Sequence, residues 1–236
     1  MQEIELKEIK RDYRSNEAYK SLRTNIEFSG EDNKVLVFTS CTPNEGKSTV
    51  TIALAQSLAE AGKKVLFIDA DLRKSVLAGL HKVHGQLKGL SHFLSGQTEL
   101  GEVMYRVKDT NMVMIFAGVV PPNPAELLGS KRFESLLTSA RKAYDYVIID
   151  APPLGSVIDA AIIAKQSDAS VLVISANTVS HKFAKVVKEQ LEKSGCPILG
   201  VVLNKVDMAQ NKYYGKYYGT YGDYGHEKEG KAEEEA

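Results

Sequence analysis

Gly46, Lys47 and Ser48 lie between an apolar run and an alanine-rich stretch, an order that is typical of a loop that binds phosphate. In such a loop, backbone N–H groups and the start of the next helix face the phosphates, because the helix dipole favours negative charge there. We expect Lys47 to neutralise phosphate oxygens and the Ser48 hydroxyl to join the shell of a Mg²⁺ ion. Cys41 stands where the usual first glycine would be. The other loop residues predicted to bind the nucleotide are Thr42, Pro43, Asn44, Glu45, Gly46 and Thr49.

Three aspartates follow apolar runs further along the chain. Asp69 and Asp71 belong to the sequence FIDADLR, and Asp150 belongs to VIIDAPP. Ligands of open α/β sheets bind outside the carboxyl ends of the strands, so we expect the aspartates and the loop to face one crevice. Carboxylates and phosphate oxygens suit Mg²⁺, which gives a predicted metal set of Ser48, Asp69, Asp71 and Asp150. For each aspartate alone, a turn or a helix N-cap remains the alternative.

The elements that must position these residues are short apolar runs that alternate with helical stretches. The runs are apolar on both faces, as in parallel strands covered by helices on both sides. They span 34–40, 64–70, 111–117, 145–151, 169–176 and 197–204, and the helical stretches span 48–60, 124–142, 157–165 and 181–193. The sequence therefore predicts an α/β fold, a doubly wound, mostly parallel sheet flanked by helices, of the P-loop NTPase type.

Composition limits the class of protein. The 236 residues carry 30 Lys+Arg against 30 Asp+Glu, a balance that argues against a nucleic-acid partner. Two distant cysteines offer no disulfide framework. No apolar window reaches the ~18 residues of a membrane span, and the N-terminus lacks a signal-peptide core, so we expect a cytoplasmic protein. Three zones differ in composition: an N-terminal segment (1–34), a P-loop domain (35–207) and a tyrosine-rich tail (208–236) that we expect to be disordered.

The order of the motifs CTPNEGKST, FIDADLR and VIIDAPP resembles the bacterial tyrosine kinases of capsular and exopolysaccharide synthesis, in their stand-alone cytoplasmic form. The similarity extends to EAYKSLRTN, GVVPPNPAELL and GVVLN, so it covers roughly residues 15–206, and a C-terminal tyrosine cluster completes it. The partitioning and cell-division-site ATPases are relatives by fold. They lack that tail and carry a signature lysine early in the loop, where this chain has Thr42.

The resemblance implies transfer of phosphate from ATP to protein tyrosine, mostly as autophosphorylation between neighbouring subunits. It implies that Asp150 completes the metal site and that Asp69 and Asp71 orient metal-bound water and the incoming tyrosine. Asp69 is the better candidate for general base, because a tyrosine hydroxyl with a pKa near ~10 needs a positioned proton acceptor. Arg73 either stabilises phosphate charge or forms a structural ion pair, and Asn204 either binds the adenine edge or shapes a turn.

Two further segments match the family. The tail holds six predicted phosphorylation sites, Tyr213, Tyr214, Tyr217, Tyr218, Tyr221 and Tyr224. Glu17, Lys20 and Arg23 resemble a Glu-x-x-Arg-x-x-Arg motif through which adjacent subunits of the family contact one another, although Lys20 replaces the first arginine and a solvated helix is the alternative. The resemblance thus implies a ring-like homo-oligomer, a separate transmembrane activator of polysaccharide co-polymerase type, a cognate tyrosine phosphatase, and recruitment to the inner face of the membrane.

Two other functions remain open at this point. A switch ATPase of the partitioning type would release phosphate without labelling tyrosine. A nucleotide-bound scaffold would leave modification of the tail to another kinase, although the intact Lys47, Ser48 and aspartates argue against a loss of catalysis.

Overall fold

The computed structural model describes residues 1–6, 12–80 and 87–207. By its contacts the chain divides into two units, Met1–Asn204 and Lys205–Ala236, and only residues 205–207 of the second unit are described. Within the described ranges the strands are β1 (Gln2–Ile4), β2 (Val35–Ser40), β3 (Val65–Asp69), β4 (Met104–Val107), β5 (Met112–Ile115), β6 (Tyr146–Asp150), β7 (Ala169–Ser175) and β8 (Ile198–Asn204). The helices are α1 (Tyr13–Phe28), α2 (Lys47–Glu60), α3 (Leu77–Leu80), α4 (Leu90–Leu94), α5 (Leu100–Val103), α6 (Pro124–Leu128), α7 (Lys131–Ala143), α8 (Asp159–Ala164) and α9 (His181–Glu192).

One sheet contains these strands in the order β1-β4-β5-β3-β6-β2-β7-β8. The six strands from β5 to β8 in that order are parallel to one another. They coincide with the six apolar runs of the sequence to within two residues at each end. The prediction of a mostly parallel sheet flanked by helices is therefore confirmed.

The central strands β2, β3, β6 and β7 are buried on both faces, which explains why they lack an alternating pattern. Val37 of β2 packs into the apolar cluster that includes Phe133 of α7, whereas its neighbour Phe38 packs into the cluster that includes Leu54 of α2. Successive side chains of a strand point to opposite faces, so α2 and α7 cover opposite sides of the sheet.

The edge formed by β1 and β4 departs from the sequence prediction, which contains neither strand. β4 is antiparallel to β5, and β1 is parallel to β4. Both strands are short, three and four residues, and both contain polar residues, Gln2 and Glu3 in β1 and Arg106 in β4, so neither forms an apolar run. Through β1 and the buried Ile4 and Ile26, residues 1–6 and 12–34 pack into the same compact unit as the central strands. The boundary that composition suggests after residue 34 stays a prediction.

The helical stretch predicted over 124–142 is two helices, and this part of the prediction is wrong. α6 ends at Leu128, and the Ser130 hydroxyl accepts a hydrogen bond from the Phe133 N–H at 3.4 Å to begin α7. Serine is a favoured N-cap because its side chain satisfies an N–H that has no partner within the helix.

The described helices include none with the length and apolar character to cross a membrane.

Candidate active site

The carboxyl ends of the parallel strands carry the residues singled out in the sequence. The loop 41–46 follows β2 directly, while Asp69, Asp150 and Asn204 are the last residues of β3, β6 and β8. Asp69 and Asp150 are partners across adjacent strands. The structure therefore brings the loop and these three residues to the same end of the sheet, where the parallel strands finish.

The loop enters α2 through two left-handed backbone positions, Asn44 with φ 66° and Gly46 with φ 83°. No side chain caps α2 at Gly46, so the first N–H groups of the helix are presented to the loop side. Cys41, in place of the usual glycine, is fully buried. A Cβ on Gly155, in the loop after β6, would lie 2.2 Å from the Cys41 carbonyl oxygen, which shows how closely the two loops pass.

Lys47 forms a buried ion pair with Asp150. Its Nζ donates to Asp150 Oδ1 at 2.6 Å and to Ser48 Oγ at 3.2 Å. The Thr51 hydroxyl donates to the Lys47 carbonyl at 2.6 Å and lies 3.3 Å from Asp150 Oδ1. The sequence patterns single out Lys47, Ser48 and Asp150, but they give no signal for Thr51, which lies one helical turn after Lys47.

Asp69 is fully buried beside Asp150. Its carboxylate accepts hydrogen bonds from the Ser75 hydroxyl and from the Asp71 N–H, the latter at 3.3 Å. Burial, with the added charge of Asp150, raises the pKa of Asp69 to about 7 against the opposing effects of Ser75 and Lys47. Such a carboxyl is suited to accepting a proton near neutral pH.

Asp71 shapes a turn in the described structure. Its Oδ1 accepts from the Arg73 N–H at 3.3 Å and from the Lys74 N–H at 2.9 Å. This is the turn role that the sequence left as the alternative. A metal or substrate contact of Asp71 stays a prediction.

Arg73 makes an ion pair of the kind held open in the sequence. Its Nε and Nη2 donate to Asp159, whose side chain is fully buried at the start of α8. The sequence analysis missed Asp159, because its only local signal is an acidic residue in the first turn of a helix. A phosphate contact of Arg73 stays a prediction, because the ion pair uses only two of the five N–H donors of the guanidinium group.

Glu45 and Asn204 contact each other rather than pointing separately into the crevice. The Glu45 side chain is 1% exposed and accepts hydrogen bonds from Thr42 and from the Ser175 N–H, while Asn204 Nδ2 donates to the Glu45 carbonyl at 2.9 Å. Ser175, at the end of β7, is a contact that the sequence did not indicate. An adenine contact of Asn204 stays a prediction, with Oδ1 as the remaining polar atom of its amide.

A metal site is not formed by protein carboxylates alone. Among residues 1–6, 12–80 and 87–207, no group of three or more His, Cys, Asp or Glu side chains is placed to hold one ion. The donors that are present, Ser48 and the aspartates at the strand ends, are hard oxygens of the kind that Mg²⁺ uses together with water and phosphate. This donor set fits a nucleotide-bound Mg²⁺ better than a resident metal.

The N-terminal helix packs against α2 through one of its predicted contact residues. Arg23 Nη1 donates to the Ser57 carbonyl at 2.8 Å and to its hydroxyl at 3.3 Å, near the end of α2. Lys20 and Glu17 form an exposed ion pair of 2.8 Å. Contacts between subunits stay a prediction for Glu17, Lys20 and Arg23, and the structure adds the contact of Arg23 with Ser57 within the chain. The six tail tyrosines lie outside the described residues.

Comparison with known proteins separates two groups that share this fold. A family model described as an AAA domain matches residues 34–193. The chain is 43% identical over 212 residues to the tyrosine-protein kinase CpsD of Streptococcus agalactiae, with 90% of each chain covered. It is similar to the kinase domain of the Escherichia coli tyrosine kinase ETK, with a TM-score of 0.75, 35% identity, and 81% of this chain and 77% of that chain covered.

The second group consists of cell-division ATPases. The septum site-determining protein MinD of Pyrococcus horikoshii OT3, solved with Mg-ADP, matches with a TM-score of 0.62 and 26% identity, covering 72% of this chain and 69% of that chain. The fold is thus shared by both groups, and the identity is higher with the kinases.

Proposed function

The chain belongs to the bacterial tyrosine kinases, and from that membership we propose that it phosphorylates the C-terminal tyrosines of neighbouring subunits and thereby regulates the synthesis or export of a capsular or extracellular polysaccharide. As a member of the family it is a protein-tyrosine kinase that uses ATP. The observation that carries the proposal is the contact of Lys47 with Ser48 and Asp150 at the start of α2, beside Asp69.

Binding of ATP begins with the uncapped start of α2 and with Lys47. The ion pair with Asp150 keeps the Lys47 ammonium at this position, where it can exchange a carboxylate partner for the β- and γ-phosphate oxygens. Ser48 and Asp150 would hold Mg²⁺, with Asp69 and Asp71 reaching it through water. When bound, the ion would neutralise part of the negative charge of the phosphates. The Mg-ADP in the MinD neighbour supports this assignment.

Transfer requires a tyrosine hydroxyl in line with the γ-phosphorus. The phenolic oxygen forms a bond to the γ-phosphorus, the bond to the bridging oxygen breaks, and ADP leaves with that electron pair. Asp69 accepts the phenolic proton. Its pKa near 7 supports this role, because the carboxyl can take up a proton at the working pH.

The tail is long enough to be the substrate in a neighbouring subunit. From Met208 to Tyr224, an extended chain at ~3.3 Å per residue reaches roughly 50 Å. Each phosphotyrosine adds about −1.5 to −2 charges, so six add roughly −9 to −12 to one short segment. Phosphorylated tails in one ring-like oligomer repel each other, so phosphorylation loosens the oligomer and ends the reaction.

Family membership supports the partners and the location. A separate transmembrane activator brings the kinase to the inner face of the membrane, and a cognate tyrosine phosphatase removes the phosphates. These partners complete a cycle of assembly and release that controls polysaccharide synthesis.

The test is peptide mass spectrometry after incubation with ATP and Mg²⁺, on the wild type and on Lys47→Met, each with and without the cytosolic segment of an activator. Phosphate on tyrosines 213–224 of the wild type alone supports an autokinase that uses this loop. If ATP binds and neither protein carries phosphate with the activator present, the proposal is wrong and a switch ATPase takes its place.

A further inference from the structure

Glu45 lies in the middle of the phosphate loop, yet its side chain points into the protein. The carboxylate accepts hydrogen bonds from the Thr42 N–H at 2.5 Å, the Thr42 hydroxyl at 2.8 Å and the Ser175 N–H at 2.9 Å. Both carboxylate oxygens are therefore engaged by the protein, and 1% of the residue is exposed. A carboxylate that has lost its water is stable only where donors replace that water, so these three contacts fix its position.

The main chain of Glu45 makes a second connection. Asn204 Nδ2 donates to the Glu45 carbonyl oxygen at 2.9 Å. Thr42 lies near the beginning of the loop, whereas Ser175 and Asn204 are the last residues of β7 and β8. Glu45 thus connects the beginning of the loop with the ends of β7 and β8.

These contacts act between two left-handed backbone positions of the loop. The residues on either side of Glu45, Asn44 and Gly46, have φ angles of 66° and 83°. Left-handed backbone is uncommon for residues other than glycine, although asparagine tolerates it better than most, so contacts from the surroundings help to hold this path. The contacts of Glu45 supply that support from beneath the loop.

We infer that Glu45 is a positioning residue, whose buried carboxylate holds the phosphate loop in the shape that receives ATP. This inference rests on the proposed use of the loop for ATP. Removal of the carboxylate loosens the loop, and the binding of ATP must then order it again.

The direction of the change in ATP affinity on removal of the carboxylate distinguishes a positioning role from a purely electrostatic effect. A negative charge near the phosphates would by itself weaken the binding of an anionic nucleotide, so its removal would tighten binding. Glu45→Gln keeps the shape but places an NH₂ group against an N–H donor of Thr42 or Ser175. A positioning role therefore predicts weaker binding of ATP in this variant.

The experiment is calorimetric titration of the full chain with ATP for the wild type, Glu45→Gln, Glu31→Gln and Lys47→Met, with thermal unfolding of each protein. We expect the Kd for ATP of Glu45→Gln to rise about tenfold or more. Glu31 is exposed, so its variant controls for the loss of one negative charge and keeps the wild-type Kd. An unchanged or lower Kd in Glu45→Gln overturns the inference. If Lys47→Met binds ATP like the wild type, the proposed use of the loop fails instead.

Thr42 gives a second pair of variants in case Glu45→Gln does not fold. Thr42→Val keeps the shape of the side chain and removes the hydroxyl that donates to Glu45, whereas Thr42→Ser retains a hydroxyl. We expect Thr42→Val to bind ATP several-fold more weakly and Thr42→Ser to restore the wild-type affinity. Equal Kd values for the two variants overturn the inference, because a structural role without effect on the loop would not distinguish them.

Discussion

Arg73 binds Asp159 through two parallel hydrogen bonds, from Nε to Oδ2 at 2.7 Å and from Nη2 to Oδ1 at 2.9 Å. Asp159 is fully buried and begins α8, and Arg73 lies in the loop that follows β3. The pair therefore fixes the loop after β3 to the helix after β6. Since Asp69 and Asp71 belong to the same short segment as Arg73, their positions depend on this contact.

Asp159→Asn should lower kcat by about tenfold, because small displacements of catalytic groups are costly. Asparagine keeps the size of the side chain but offers one oxygen, so the two-point pair with Arg73 is lost. Arg73 is 40% exposed, and we expect the free energy of unfolding to fall by about 1–3 kcal/mol. The Kd for ATP stays close to that of the wild type. Steady-state kinetics and urea denaturation measure both effects.

Asp168→Asn is the matched control for that variant. Asp168 forms an ion pair with Arg141 at 3.0 Å and accepts a hydrogen bond from the Val35 N–H at the start of β2. This is the opposite end of the strand from the phosphate loop. Its replacement should lower stability and leave kcat unchanged. Equal losses of kcat in the two variants would contradict a positioning role for the Arg73–Asp159 pair.

Lys47→Met should abolish tyrosine phosphorylation and also lower the free energy of unfolding by about 3 kcal/mol, because it leaves Asp150 buried without its counter-charge. The double variant Lys47→Met/Asp150→Asn should recover most of that stability and none of the activity. Urea denaturation of the single and double variants measures the recovery. A double variant as unstable as the single one would show that the ion pair is not the cause.

Asp69→Asn should reduce kcat by about 10²- to 10⁴-fold, the range expected for loss of a general base. Asp71→Asn makes the same chemical change two residues away and should reduce kcat less, since an asparagine oxygen still accepts from the N–H groups of Arg73 and Lys74. Single-turnover transfer to a tyrosine peptide, at saturating ATP, compares the two. The reverse order would move the base to Asp71.

Phosphorylation between subunits is testable with two full-length chains. One chain carries Phe at all six tail tyrosines and an intact active site, and the other carries Lys47→Met and an intact tail. When the two are mixed with ATP and Mg²⁺, mass spectrometry should find phosphate on the tail of the Lys47→Met chain. An unlabelled tail in this mixture, alongside a labelled wild type, would indicate transfer within one chain.

The phosphorylated wild type should sediment as smaller species than the unphosphorylated protein, because the added negative charges repel one another. Salt screens such repulsion, so a higher ionic strength should reduce the difference. Sedimentation velocity of both forms at two salt concentrations measures this. A phosphorylated form that remains a stable oligomer at low salt would contradict the proposed release.

The central sheet and the location of the site follow from local sequence signals. Runs that are apolar on both faces mark parallel strands, and the residues that end those runs must meet at one edge. This is why the sequence alone places Lys47, Asp69 and Asp150 together. The short strands β1 and β4 include charged residues, Glu3 and Arg106, and so do not form apolar runs of this kind.

The partners of the site residues could not be read from the sequence. Arg73 and Asp159 are 86 residues apart, and either one alone is consistent with several roles. The pattern of the phosphate loop marks Glu45 as a loop residue, but which way its side chain points depends on Ser175, which is 130 residues away. Contacts of this kind are set by the packing of strand ends, which local periodicity does not encode.

Helix α2 is held at both ends by other parts of the chain, through Lys47 at its start and through the contact of Ser57 with Arg23 near its end. At ~1.5 Å per residue, its 14 residues span about 21 Å. A rigid helix held in this way couples its two ends. A displacement of α1 that keeps the Arg23 contact would therefore also move the start of α2, and with it the Lys47 ammonium group that meets the nucleotide.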